Sequence, residues 1–259
     1  MKRPSNQGLQ LHNSWLARVA AVLFWLLVWQ AAAMALRQPL LLSSPLRVAE
    51  RLFALLGERA FYAALGYSLR RIALGFSAGL LLGALLAVLA ARLPVLEALL
   101  RPLMVTVKSV PVASFIILAL IWLSARRLSA FIAFLMVLPI VYGNLLAGLK
   151  STPVPMLEMA RLYHVSWGRR LLYIQLPHIK PHLLSALTLA LGMSWKAGVA
   201  AEVIGIPTGS IGEQLYQSKV YFDLTSLYAW TVAIVFVSVL FEKAVLLLVR
   251  LLYGRLERL

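Results

Sequence analysis

The sequence predicts an all-α membrane protein of about six transmembrane helices. Three observations carry that expectation. Hydrophobic residues make up 62% of the 259 and charged residues only 13%, against about half apolar and about a quarter charged in an ordinary soluble domain. Apolar runs recur along the chain, each near the roughly 20 residues that a bilayer demands. The alternating segments of a membrane barrel are missing, so backbone groups in lipid must pair within helices.

The runs are Leu16–Leu36, Leu69–Ala91, Leu103–Leu123, Leu128–Leu149, Leu183–Ile206 and Leu227–Val249. No repeat, low-complexity segment or linker divides them, which gives a single transmembrane domain over 16–250 with tails 1–15 and 251–259. Lys2 and Arg3 precede the first run, and Ala33-Met34-Ala35 faintly resembles a signal-peptidase site. That run is longer than a signal h-region and can span by itself, so an uncleaved first helix is expected. A removed signal peptide would leave five spans and an external N-terminus.

Before the second run, Ser44 can cap a helix with Pro45 in its first turn and Gly57 at its end. Leu46, Ala49, Leu52, Phe53 and Leu56 share one side and Arg47, Glu50 and Arg51 the other, the pattern of a helix on the membrane surface or against the bundle. In the third and fourth runs, Pro111 and Pro139 are expected to kink the helix or break local backbone bonds. Lys108 precedes Pro111 at the inner end of its run.

Between the fourth and fifth runs, residues 151–180 form the most informative loop. Pro153 and Pro155 suit the start of a short helix holding Glu158, Met159 and Ala160. His164 and Val165 interrupt it, and Ser166 can cap a second amphipathic stretch that reaches Ile174, Leu176 and Pro177.

Charge sets the expected orientation. There are 25 Lys and Arg against 9 Asp and Glu, and the basic residues sit mainly at the ends of apolar runs. That placement suits anchoring in an anionic membrane and not nucleic-acid binding. Lys2, Arg3, Lys150, Arg161, Arg169, Arg170, Lys180, Arg255 and Arg258 fall on one side, with Glu158 and Glu257 the acids among them. The positive-inside rule makes that side cytoplasmic, with both termini. Arg47, Arg51, Arg59, Arg70, Arg71, Arg126 and Arg127 lie near the opposite end.

The loop resembles the cytoplasmic signature of the integral membrane subunits of binding-protein-dependent ABC importers: Glu-Ala-Ala, three residues, Gly, nine residues, Ile-x-Leu-Pro. Glu158-Met159-Ala160, His164, Ile174, Leu176 and Pro177 are in register, with Met159 replacing an alanine and His164 the glycine. Ser44 to Val48, Ser68 to Arg71 with Gly75-Phe76, Val110 to Ala113, Ala200-Ala201-Glu202 and Gly209 to Gly212 are similar to the nitrate/sulfonate/taurine-type subfamily. The resemblance implies a type I importer permease in a bacterial inner membrane. It implies that Glu158, Met159, Ala160, His164, Ile174, Leu176 and Pro177 couple to a cytosolic ATPase, with Ala160 letting the helix seat closely. It also implies an external binding protein and a second permease chain, a homodimer by default. A small anion or related nutrient is the expected substrate.

No Walker-type loop is present: in Gly143 to Ser151, Leu149 stands where lysine is required. The chain is therefore expected to be a non-catalytic subunit that binds no cofactor itself, with ATP and Mg on the partner. Lys196 and Glu202 lie in the fifth run, and an ionisable group at membrane depth is a functional candidate. Lys196 can face the translocation path with Pro111 and Glu202 nearby, or pair with an acid on a neighbouring helix. His164, His178 and His182 place at best two residues on one helix face, and no cysteine completes a metal shell. A secondary transporter or channel is the alternative, but the internal repeats and buried acids that such proteins often carry are not evident.

Overall fold

The computed structural model describes residues 15–36, 38 and 42–256. Lys2, Arg3, Glu257 and Arg258, which enter the expected orientation, lie outside the described residues. No strand occurs among them.

The elements in order are α1 (Trp15–Leu36), α2 (Pro45–Leu56), α3 (Arg59–Arg92), α4 (Pro94–Ser109), α5 (Val112–Trp122) and α6 (Ala125–Lys150). Then come α7 (Val154–Leu162), α8 (Trp167–Arg170), a π-helical turn over Leu171–Gln175, α9 (Leu176–His178), α10 (Lys180–Gly205), α11 (Ile211–Val220) and α12 (Leu224–Leu256). Five of these helices are long and apolar enough to cross a membrane: α1, α3, α6, α10 and α12. The expected third span is not one helix. It is α4 and α5, bent by 105° at a short break, and it makes a sixth crossing only if the pair is taken together.

Proline explains the break. Val110 is extended, the conformation favoured before proline, and Pro111 stands at the N-cap of α5. Pro139 has no such effect, because α6 runs through it from Ala125 to Lys150.

The centre of the bundle is α6, packed between α3 and α10. Gly75, Gly79 and Gly83 recur every fourth residue, so α3 presents a bare stripe to α6. A Cβ at Gly75 would overlap the Ala130 carbonyl, and one at Gly79 would stand 2.8 Å from Val137 Cβ. In lipid, close backbone approach replaces the hydrophobic drive that assembles soluble helices. The α6–α10 pair is antiparallel, since Gly148 touches His182 and Gly205 touches Leu128.

Outside this core, α1 is exposed along most of its length and touches α12 through the rings of Trp29 and Tyr228, 5.7 Å apart. Ser44 and Pro45 start α2 as expected, and Gly57 closes it in a right-handed conformation. Its buried residues are Val48 and Leu55, whereas Leu46, Phe53 and Leu56 face outward. Of the two expected placements, on the membrane surface or against the bundle, the apolar side pointing mainly outward suits the first. Arg51 fixes α2 to the start of α12: its Nε donates to Ser226 Oγ at 2.8 Å, and Asp223 Oδ1 accepts from the Ser226 amide at 3.0 Å.

Three helices end on a non-glycine residue with left-handed φ: His164 at 49°, Ile206 at 49° and Phe222 at 55°. At two of them the same bonds close the turn. Val165 donates to Ala160 O and His164 to Arg161 O after α7, and Asp223 donates to Ser218 O and Phe222 to Lys219 O after α11. This is the Schellman arrangement, which satisfies the last carbonyls of a helix.

Candidate functional site

The loop expected to couple to an ATPase forms a compact knuckle. Pro153 caps α7, and α7 ends in the left-handed turn at His164. The position where the signature has glycine is thus one that needs positive φ. Histidine is among the side chains that enter that region more readily than most.

Ala160, expected to let the helix seat closely, is only 2% exposed and packs against the chain itself. Met156, Met159, Leu162 and Tyr163 share the open side of α7 and are all exposed. Glu158 is exposed on the same helix.

Beyond Ser166, whose hydroxyl makes no capping bond, the second stretch is broken into α8, the π turn and α9. Leu176 donates its amide to Leu171 O across the π turn, just before Pro177, which has no amide proton. Leu171 and Leu176 pack against the buried cluster of α3, α6 and α10, Ile174 is half-buried and Pro177 is exposed. The Ile-x-Leu-Pro piece therefore roots the knuckle in the bundle. A second root is Arg92 at the end of α3, whose guanidinium lies 5.0 Å from the ring centre of Trp167. Lys150, at the end of α6, pairs with Glu97 at the start of α4.

The three histidines stay apart. His164 forms the turn, His178 Nε2 is 3.4 Å from Ser151 Oγ, and His182 packs on Gly148. No group that could hold a metal occurs among the described residues.

A second region lies around the broken span. Val107 of α4, Ile116 and Ala119 of α5, Leu128, Ile132 and Met136 of α6, and Ala197 and Ala201 of α10 pack as one cluster. Lys108 and Lys196 are chain neighbours of two of its members and are themselves exposed. The Lys108 ammonium lies over Gly143, 3.3 Å from where a Cβ would stand. Pro111 is exposed at the bend. Neither lysine is in a salt bridge among the described residues, so the ion-pair reading of Lys196 finds no support.

Glu202 does not share that surface. It is fully buried at the end of α10, where its Oε2 accepts from Ser68 Oγ of α3 at 2.6 Å and from the Gly212 amide at 3.4 Å. Ser68 Oγ in turn accepts from the Ile211 amide at 3.0 Å. Three helices, α3, α10 and α11, are thereby tied at one carboxylate, and a Cβ at Gly212 would overlap Glu202. Glu202, expected on the path, is here a buried structural knot with no exposed surface. Sequence reasoning missed Ser68 and Gly212 as its partners, because they stand 134 and 10 residues away.

Comparison with known proteins identifies the family. The family described as binding-protein-dependent transport system inner membrane component matches residues 79–258. The taurine transport system permease protein of Escherichia coli is 29% identical over 187 residues, 70% of this chain and 68% of that protein. A putative aliphatic sulfonates transport permease protein of Bacillus subtilis is 25% identical over 226 residues, 86% of this chain and 81% of its own length. The bicarbonate transport system permease protein of Synechococcus elongatus is 27% identical over 197 residues, 72% and 70% of the two chains.

Proposed function

From the premise that the chain belongs to the family of binding-protein-dependent transport system inner membrane components, we propose that it carries a small anion across the membrane, driven by a separate ATPase docked on its knuckle. It is a multi-pass membrane protein and an ABC-type permease subunit. The secondary-transporter alternative is not favoured, because it leaves both the family match and the knuckle unexplained.

One observation carries the coupling reading. The left-handed turn at His164 sets α7 with an uncovered apolar side, Met156, Met159, Leu162 and Tyr163, at the loop that bears the signature. An exposed apolar stripe on a short rooted helix is the form of a docking element. In this reading Met159 and its exposed neighbours seat in the ATPase and Glu158 meets a basic or amide group. Ala160, His164, Ile174, Leu176 and Pro177 hold the shape from behind. ATP and Mg belong to the partner, and this chain supplies no catalytic group.

The substrate reading rests on Lys196 and Lys108. Exposed cations within membrane-spanning segments are too costly to leave facing lipid, so both line a polar path, with Pro111 at its bend. The relatives are named for taurine, sulfonates and bicarbonate, each of which bears an anionic oxyacid group, and this supports a cationic path. An external binding protein delivers the anion, and a second copy of the chain closes the path across a two-fold axis. Both termini lie in the cytoplasm of a bacterial cell, beneath its inner membrane.

Proteoliposomes holding the chain, its ATPase and its binding protein test this through uptake of labelled nitrate, bicarbonate, taurine and methanesulfonate. ATP-dependent uptake of at least one is expected, reduced at least tenfold by Lys196→Gln and spared by Lys196→Arg. Uptake without ATP would contradict the coupling; equal uptake by Lys196→Gln would contradict the path.

A further inference from the structure

Beneath the knuckle lies a cavity of about 210 Å³ that the coupling reading does not use. Arg92 from α3, Arg161 from α7 and Arg170 from α8 all line it, with Trp167 and Gln175, and no acid does. None of the three arginines is in a salt bridge among the described residues. Arg170 Nε is buried without a hydrogen-bond partner. The remaining wall is Val88, Ala91, Leu149 and Leu171, the ends of membrane helices and the root of the knuckle.

Three guanidinium groups around one cavity repel one another; Arg92 and Arg161 are open to solvent, and Arg170 Nε is buried with no acceptor. A guanidinium fork matches the oxygens of a phosphate or carboxylate in pairs, and arginine stays charged at any physiological pH. The cavity is smaller than the roughly 300–1,000 Å³ of a drug-sized site, a size that suits one compact anionic group. Its place at the level where membrane helices end, with an indole and aliphatic side chains in the wall, is that of a headgroup pocket. Basic pockets between membrane helices near the cytoplasmic surface bind anionic lipid headgroups.

We propose that Arg92, Arg161 and Arg170 form a phosphate-binding site that clamps the knuckle to the end of α3. The phosphate is either that of an anionic phospholipid or free phosphate, and the chemistry of the site is common to both. Because Arg92 belongs to a membrane helix and Arg161 and Arg170 to the knuckle, an occupied site ties the loop to the bundle. The inference does not depend on the ATPase or on the identity of the transported substrate, since its readout is binding to the permease chain itself.

The test uses the full chain purified in mild detergent. One arm adds phosphatidylglycerol or cardiolipin, with phosphatidylcholine as control, and reads retained lipid by native mass spectrometry. The other adds inorganic phosphate against chloride at equal ionic strength and reads the shift in Tm. Retention of anionic lipid, lowered at least tenfold in Arg92→Gln/Arg161→Gln/Arg170→Gln but not in the control Arg126→Gln/Arg127→Gln, supports the site with lipid as the source. A phosphate-specific rise in Tm that is lost in the triple variant, without lipid retention, supports it with free phosphate as the source. If the triple variant does not fold, Arg161→Gln alone, an exposed position, is expected to lose at least threefold in whichever arm responds. Binding in neither arm, or equal binding by wild type and the arginine variants, overturns the proposal.

Discussion

Ser68 donates to Glu202 Oε2 at 2.6 Å, and neither residue has any exposed surface. The bond joins α3 to the last turn of α10, and the Ile211 amide on Ser68 extends it to α11. Removing the hydroxyl leaves a buried carboxylate oxygen with only the longer Gly212 contact and orphans the Ile211 amide. An unsatisfied buried polar group costs about 1–3 kcal/mol, more when charged. Ser68→Ala is therefore expected to lower the Tm of the purified protein clearly, whereas Ser109→Ala, at an exposed hydroxyl bonded to its own helix, leaves it nearly unchanged. Equal effects of the two would contradict the knot.

Glycine spacing on α3 leads to a second expectation. Gly79→Leu would drive a side chain into Val137 and the Phe134 carbonyl and separate α3 from α6. Gly66, by contrast, has nothing within 4 Å of a new Cβ. Gly66→Ala should be neutral or stabilise by up to about 1 kcal/mol through helix propensity. Yield and monodispersity in size-exclusion chromatography separate the two variants, and a well-behaved Gly79→Leu protein would contradict the close pairing.

His164 occupies a left-handed turn, a conformation that costs a residue with a Cβ roughly 1–2 kcal/mol. His164→Gly should keep the knuckle and raise Tm slightly. His164→Val, β-branched and ill suited to positive φ, should loosen it. Limited proteolysis around residues 160–170 reads the difference, with Val expected to be cut faster and Gly no faster than wild type.

Acid sensitivity is expected at Asp223. Burial pushes its carboxyl up, but the Ser226 hydroxyl and amide, Arg51 and the Thr225 amide together pull it below the ordinary aspartate value. A folded-state pKa below the unfolded one contributes stability that is present above the unfolded value and lost as pH falls through the folded value. Wild type should lose stability as pH drops below about 4, the unperturbed aspartate range. Asp223→Asn keeps a good N-cap residue but carries no titrating charge, so its Tm should start lower at neutral pH and fall less between pH 5 and 3. Parallel acid limbs for the two proteins would contradict this.

Much of the architecture is legible in the sequence because the bilayer constrains it so strongly. Span length, the caps at Ser44 and Pro45, and the spacing from Glu158 to Pro177 all act locally. Pro111 marked a disturbance, but the size of the bend depends on what α4 and α5 pack against, which no local rule supplies. The outward side of α7 was not legible at Ala160 for the same reason: a small residue suits close packing equally well against the chain itself or a partner. Glu202 was visible as an ionisable group in the fifth run, yet its burial and its bond to Ser68 on another helix are facts of tertiary packing. The Gly75, Gly79 and Gly83 stripe has a regular four-residue spacing that sequence reasoning passed over, and the packing shows that it faces α6.

The coupling role of α7 meets its most direct test in co-purification of the chain with its cytosolic ATPase. Met159→Glu/Leu162→Glu places two charges on the exposed apolar side and leaves the buried Ala160 and the turn at His164 intact. At least a tenfold loss of bound ATPase and of ATP-driven uptake is expected, with Tm of the isolated chain unchanged. Full retention of the ATPase and of uptake by this variant would contradict the account.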